Sequence, residues 1–146
     1  MVLISHRGNV NGRVLDRENT EQYIDDAIAL GYDVEIDVWY QDANYWLGHD
    51  NPERVIDLRW LLKRKDNLWI HCKNFRALSS LSDHLTVFYH SQEAYTLISN
   101  GLIWAHNIHD VDDKCIIPLL DDKDVEQWKP VHVHGVCSDY VEALND

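Results

Sequence analysis

The sequence predicts an α/β protein built on a mainly parallel sheet, and three observations carry that expectation. Short apolar, β-branched runs alternate with polar stretches of helical spacing along the chain. Several of these runs are apolar nearly throughout, as strands covered on both faces are. No low-complexity segment, internal repeat or Pro/Gly-rich linker interrupts the 146 residues, so residues 1–146 are expected to form one domain.

Seven runs read as strands: Val2–His6, Val34–Tyr40, Leu68–Lys73, Leu85–His90, Leu102–His106, Cys115–Leu120 and Val131–Cys137. Asn19 or Thr20 caps a helix over Glu21–Leu30, whose Tyr23, Ile24, Ala27, Ile28 and Leu30 form an apolar stripe ending at Gly31. A second helix is expected over Arg54–Lys65, with its basic last turn suiting the helix dipole, and a third over Gln92–Ser99, closed by Asn100-Gly101. Tyr45–Gly48 can fold back as a hairpin arm on Val38–Tyr40. An eight-fold β/α barrel usually needs about 250 residues. Pattern alone therefore allows a barrel with trimmed helices or fewer strands, and equally an open flavodoxin-like sheet.

Composition excludes several functions. A chain that is 45% hydrophobic and 26% charged is not a disordered segment. Thirteen basic against 25 acidic residues give a net charge of −12, which argues against binding nucleic acid or an anionic membrane through overall charge. A local basic pocket for one phosphate remains compatible with it. The longest apolar runs, Cys115–Leu120 for example, fall far short of a membrane span, so no transmembrane segment is expected. Met1–Arg7 lacks the basic leader and apolar length of a signal peptide. With Cys72, Cys115 and Cys137 odd in number and widely spaced, the expectation is reduced thiols and a cytoplasmic location.

The chemistry concentrates in Asp33-Val-Glu-Ile-Asp-Val-Trp39. Glu35 and Asp37 lie two apart in a strand and share one face, while Ile36 and Val38 take the other. Paired carboxylates in a buried strand need a cation or basic groups to neutralise them. The bland alternative is a solvent-facing pair on an edge strand, but the apolar flanks favour burial and a metal pair. His71 and Lys73 repeat the spacing in Trp69-Ile-His-Cys-Lys-Asn74, where an imidazole can complete a metal site and a lysine can face an anion. A charge ladder between neighbouring strands would need no ligand at all. Ser5-His6-Arg7-Gly8 and Gly48-His49-Asp50 each place a histidine at a strand end beside Arg or Asp, as a general acid and base require, and Arg7 can grip a phosphate through two donors.

Other residues weigh differently. His132-Val-His134 has the same-face spacing of a two-histidine metal site, though a strand with one satisfied histidine fits equally. His106 and His109 bracket a loop and are expected in solvent. Cys72 sits at the parity opposite to His71 and Lys73, which points it into the core. Trp104 and His90 end strands and can line a pocket, against the tendency of tryptophans to serve packing.

The ordered set His6-Arg7-Gly8, Glu18-Asn19-Thr20, Glu35-Ile36-Asp37-Val38 and His49-Asp50 resembles the signature of the glycerophosphodiester phosphodiesterase family. Ile70-His-Cys-Lys73 resembles that family's Ile-Glu-Ile-Lys strand with His in place of Glu, and His134-Gly-Val-Cys-Ser-Asp-Tyr140 resembles its closing Gly-Ile-x-Thr-Asp strand. The resemblance implies a TIM-type (β/α) barrel, compact and reduced at this chain length, with its site at the carboxyl ends of the strands. It implies His6 and His49 as the acid–base pair, Arg7 and Lys73 as phosphate ligands, and Glu35 and Asp37 as metal ligands, joined by His71 in the place of a carboxylate. In the wider superfamily, which includes phosphatidylinositol-specific phospholipases C, a neighbouring hydroxyl of the alcohol often attacks the phosphate.

Two departures bear on function. His71 removes one negative charge and supplies nitrogen. Mg²⁺ or Ca²⁺ is the cation expected first, yet nitrogen weakens the case for Ca²⁺, leaves a softer ion open and also allows a site without metal. The chain is also short for the family, so loops that would recognise the alcohol are largely missing. The expected function is hydrolysis of a glycerophosphodiester-like or other small phosphorylated-alcohol diester, without nucleic-acid partners. A catalytically degenerate domain that binds a phosphorylated metabolite is the alternative, and a metallohydrolase using His132 and His134 is a third reading.

Overall fold

The computed structural model describes residues 1–128 and 132–145. The first strand, β1 (Val2–His6), leads through a loop to α1 (Glu21–Ala29), whose first turn is capped by the Thr20 hydroxyl accepting from the Tyr23 N–H. Then come β2 (Asp33–Gln41), β3 (Asn44–Leu47), β4 (Arg54–Ile56), α2 (Leu58–Lys63), β5 (Leu68–Cys72), α3 (Phe75–Leu81) and β6 (Val87–Phe88). The rest is β7 (Tyr95–Leu97), β8 (Ile103–Ala105), β9 (Cys115–Pro118), α4 (Asp122–Gln127), β10 (Gly135–Ser138) and α5 (Val141–Leu144).

The expectation of a mainly parallel TIM-type barrel is overturned: the described strands form one mixed sheet of ten. β6-β5-β2-β1-β10-β9-β8 run parallel to their neighbours. β3 and β4 fold back antiparallel on β2, and β7 is antiparallel to β8. The physical reason is chain length. Each parallel crossover needs a dozen residues or more, whereas a hairpin needs two. Here the five described helices are short, and hairpins replace helices at both flanks of the sheet. Among the described residues no ladder joins β6 to β7 or β8. Val87 and Ser99 meet instead through two hydrogen bonds, each 2.9 Å, one of them to the serine hydroxyl.

Two expected helices are corrected locally. Arg54–Lys65 splits, because Arg54-Val-Ile56 pairs with β3 and Asp57 then caps α2 by accepting from the Arg59 N–H at 2.8 Å. Within Gln92–Ser99, Tyr95–Leu97 is a strand, and Asn100-Gly101 is the turn into β8 rather than a helix stop; Gly101 has φ +89°. The expected hairpin arm is present as β3. Of the expected run Val131–Cys137, Val131 lies outside the described residues, and β10 begins at Gly135.

Strand parity sorts the core into layers. Val34, Ile36, Val38, Ile70 and Cys72 pack with α1, α2 and α3 on one face of the sheet. Cys72 is fully buried there, and burial pushes its thiol up to about 12. On the other face, Ile4, Trp69, Phe88, Ile98, Trp104, Ile116 and Cys137 form an apolar floor. The next residues of the same parity, toward the carboxyl ends of the parallel strands, are polar: His6, Glu35, Asp37, His71 and, just past β10, Asp139. Among the described residues no helix is long and apolar enough to cross a membrane.

Candidate active site

The polar layer is set by backbone register. β1 pairs with β2 so that His6 stands opposite Glu35, and β2 pairs with β5 so that Asp37 stands opposite His71. β1 ends at His6, and β3 takes over the same edge of β2 only from Val38 onward. Asn19 fills the gap. Its side-chain carbonyl accepts from the Asp37 N–H at 3.0 Å and its amide donates to Asp37 Oδ2 at 2.9 Å. Asn19 and Arg7 both adopt left-handed backbone, φ +56° and +59°, a conformation that non-glycine residues hold mainly where surrounding structure imposes it. Here Asn19 donates its N–H to the Arg7 carbonyl and Arg7 donates its own to the Glu35 carbonyl.

Glu35 and Asp37 are 3% and 1% exposed, which removes the solvent-facing alternative. His6 Nδ1 donates to Asp139 Oδ1 at 2.8 Å, and its Nε2 lies 3.4 Å from Glu35 Oε2. Arg7 Nη1 donates to Glu18 at 3.1 Å, while Nε lies 3.1 Å from Asp37 Oδ2 without aiming its N–H there. Arg13 also donates to Glu18. Four carboxylates (Glu18, Glu35, Asp37, Asp139) thus face two guanidiniums, of Arg7 and Arg13, and two imidazoles, of His6 and His71. With the rings neutral, the excess is negative.

Electrostatics separate Glu35 and Asp37. Burial first, then the charge of Asp37, raise Glu35 to about 7. Burial works to raise Asp37 too, but the neighbouring His71 side chain, Arg7 and Asn19 outweigh it and hold Asp37 down at about 2. Burial likewise works to lower His6, and is outweighed by the Asp139 hydrogen bond and the Glu35 charge, so its value is raised. His49 is lowered, by burial and then by Arg7.

His6, Arg7, Glu35, Asp37, His49 and His71 all line one cavity of 170 Å³. His49 reaches it from the loop after β3. That loop is pinned by the Trp39 indole donating to the Gly48 carbonyl at 2.7 Å, and a Cβ at Gly48 would collide with the Asn51 carbonyl. The opposite wall is aromatic: His71 stacks on Phe88 at 5.2 Å, Phe88 on Trp104 at 4.6 Å, and His90 on His106 at 3.8 Å. Burial first, then His90, press His106 down to about 4, so the His106 ring is uncharged at neutral pH. His6, Arg7 and His49 also line a wider groove of 610 Å³ with Asp121, Asp122 and Tyr140.

Lys73, one residue past the end of β5, does not line the cavity, although its backbone N–H still donates to the Val38 carbonyl at 2.8 Å. Its charge helps to lower His49 and His90, which do line it. His106 is exposed as expected, yet its ring lines the cavity, as do His90 and Trp104. Asp139 is the residue whose role sequence reasoning missed. Its signal was its place after the last strand, since β1 pairs with β10 and Ser5 stands opposite Ser138.

Among the described residues, Glu35, Asp37 and His71 form the one group of three potential metal ligands, with donor atoms within 4.8 Å of one another; His132 and His134 belong to none. Glu35 Oε1 and Asp37 Oδ1 are buried without any hydrogen-bond donor. Orphaned carboxylate oxygens beside a free ring nitrogen fit a divalent cation. Comparison with protein-family models finds no match to this chain, and comparisons with curated proteins and with solved structures likewise find none.

Proposed function

We propose that this chain is a metal-assisted phosphodiesterase of the glycerophosphodiester phosphodiesterase kind, acting in the cytoplasm on a small diester of a phosphorylated alcohol. The observation that carries the reading is one cavity holding two donor-less buried carboxylate oxygens and His71, flanked by His6 and His49. The order of the motifs in the sequence supports it independently; the fold does not enter.

Glu35, Asp37 and His71 would hold the cation. When bound, it supplies Lewis-acid stabilisation of charge on the phosphoryl oxygens. Arg7, at the edge of the cavity, adds positive charge beside Asp37 and orients the diester. His6 and His49 handle protons: one accepts from the attacking hydroxyl or water, and the other delivers to the leaving alkoxide. Asp139 fixes the His6 ring by taking its Nδ1 proton in a hydrogen bond, which turns Nε2 toward the cavity. The aromatic wall excludes water from one side. A domain that only binds a phosphorylated metabolite would need neither histidine in a proton-transfer position.

Hydrolysis of bis-(p-nitrophenyl) phosphate, with Mn²⁺, Mg²⁺ or Ca²⁺ and with chelator, tests the reading. Metal-dependent turnover that disappears in both His6→Ala and His49→Ala is expected. Tight phosphate-ester binding with no turnover under any metal would replace it with the binding-domain reading.

A further inference from the structure

We propose that the cation site selects a divalent first-row transition ion, of the Mn²⁺ or Co²⁺ type, over Mg²⁺ and Ca²⁺, because His71 supplies a nitrogen ligand whose orientation the His90 main chain fixes. The inference rests on the metal-assisted reading above and deepens it, since it concerns which ion the same three ligands take.

The His71 ring is held on both sides. Its plane lies against Phe88, 7° from parallel, and Nε2 lies 3.1 Å from the His90 carbonyl oxygen. A carbonyl oxygen only accepts, so Nε2 carries the ring proton. In the neutral ring, Nδ1 is then a bare lone pair. It faces Asp37 Oδ1 at 3.2 Å, and Asp37 Oδ1 is itself buried and without a donor. Two acceptors at that separation need something positive between them, either a second ring proton or a metal ion that displaces it. Adjacent donors around one octahedral ion with bonds of about 2.0–2.4 Å sit about 3 Å apart, so the spacing suits a shared ion. Glu35 Oε1, also donor-less, supplies the third ligand from the same strand face.

The donor set is therefore one imidazole nitrogen and two carboxylate oxygens. Ca²⁺ takes six to eight oxygen ligands and Mg²⁺ prefers oxygen and water, whereas imidazole suits transition ions and their affinity rises along the first row. The second imidazole pair of the cavity does not alter the count. His90 and His106 lie face to face, 8° from parallel, so their nitrogens do not converge on one point. His90 enters through its carbonyl alone, as the outer partner that fixes which nitrogen of His71 is free, a kind of contact whose loss costs about 10–100-fold in metal affinity.

The test is titration calorimetry of the chelator-stripped protein with MnCl₂, CoCl₂, MgCl₂ and CaCl₂, joined to pulsed electron paramagnetic resonance of the Mn²⁺ complex. Mn²⁺ and Co²⁺ should bind at least tenfold more tightly than Mg²⁺ and Ca²⁺. The Mn²⁺ echo should carry ¹⁴N modulation from a bound imidazole. His71→Glu should abolish that modulation and narrow or reverse the preference, while His132→Ala, at an exposed position, should change neither. If His71→Glu fails to fold by circular dichroism, the wild-type ¹⁴N signal and ion ranking decide alone. Tighter binding of Ca²⁺ or Mg²⁺, or Mn²⁺ binding without ¹⁴N modulation, overturns this inference and leaves the phosphodiesterase reading standing. No binding of any of the four ions at millimolar concentration overturns both.

Discussion

Asp139 and His6 are 133 residues apart in sequence and joined by a 2.8 Å hydrogen bond, Nδ1 to Oδ1. Asp139 is 1% exposed and also accepts from the Asn9 side-chain amide at 2.8 Å, so its carboxylate is held from two sides. The pair works only because β1 and β10 are neighbours in register.

Asp139→Asn keeps the shape and removes the charge. Activity should fall at least about tenfold, on the scale of losing a well-placed proton-transfer group. A merely structural residue would leave the pH profile in place. Here the limb belonging to His6 should move to lower pH, because the Asp139 hydrogen bond is among the interactions that raise His6. A reduced rate with an unmoved profile would deny Asp139 this positioning role.

The histidine pair itself carries the sharpest expectation. His6→Ala and His49→Ala should each cost about 10²–10⁴-fold in turnover with folding intact by circular dichroism. The wild-type rate should be bell-shaped in pH, as two groups of opposite protonation require. His132→Ala and His134→Ala should change activity little, since neither joins a ligand group among the described residues. Loss confined to these last two would hand the chemistry to the other metallohydrolase reading.

The candidate site was more legible than the fold, for a physical reason. Glu35 and Asp37, or Trp69 and His71, are two apart in a strand, and alternation fixes a shared face without knowledge of neighbours. Asp139 depends on pairing between the first and last strands, which no local pattern encodes. Short segments fail differently. Tyr95–Leu97 and Arg54–Ile56 are three residues each, too few to show a period, and Asn100-Gly101 ends a helix as readily as it turns a hairpin. These misread segments, together with the β3 arm that was expected, are the antiparallel flanks that make the sheet mixed.

The β2–β3 turn offers a stability test away from the site. Asp42 and Ala43 form a two-residue loop with φ +52° and +62°, and Gln41 pairs with Asn44. Such turns need left-handed backbone at both positions, which asparagine and glycine take most easily. An alanine there carries a cost of about 1–2 kcal/mol that glycine avoids, against about 0.4–1 kcal/mol of added chain entropy in the unfolded state. Ala43→Gly should therefore raise stability by up to about 1 kcal/mol, seen as a higher urea midpoint at unchanged slope. A lower midpoint would show that this turn does not strain its alanine.

Glu35 makes stability depend on pH in a defined direction. Its folded value of about 7 stands above its ordinary 4.5, so between those limits the folded protein binds more protons than the unfolded chain. The stabilisation is fully present below 4.5 and is lost as pH rises through about 7. Asp37 acts in the opposite sense, below its ordinary 3.8 and down to about 2, and so lies outside this window. In chelator, wild-type stability should carry a falling contribution across the window on the order of 2 kcal/mol. Glu35→Gln should remove that slope and be the more stable protein at pH 8, because the neutral amide has no buried charge to accommodate. Added Mn²⁺ should reverse the wild-type trend, since the ion binds the ionised carboxylate and competes with its proton. Thermal melts of both proteins across the window, with chelator and with Mn²⁺, measure all three effects. Parallel wild-type and Glu35→Gln curves in chelator would mean that Glu35 does not hold its proton in the folded state.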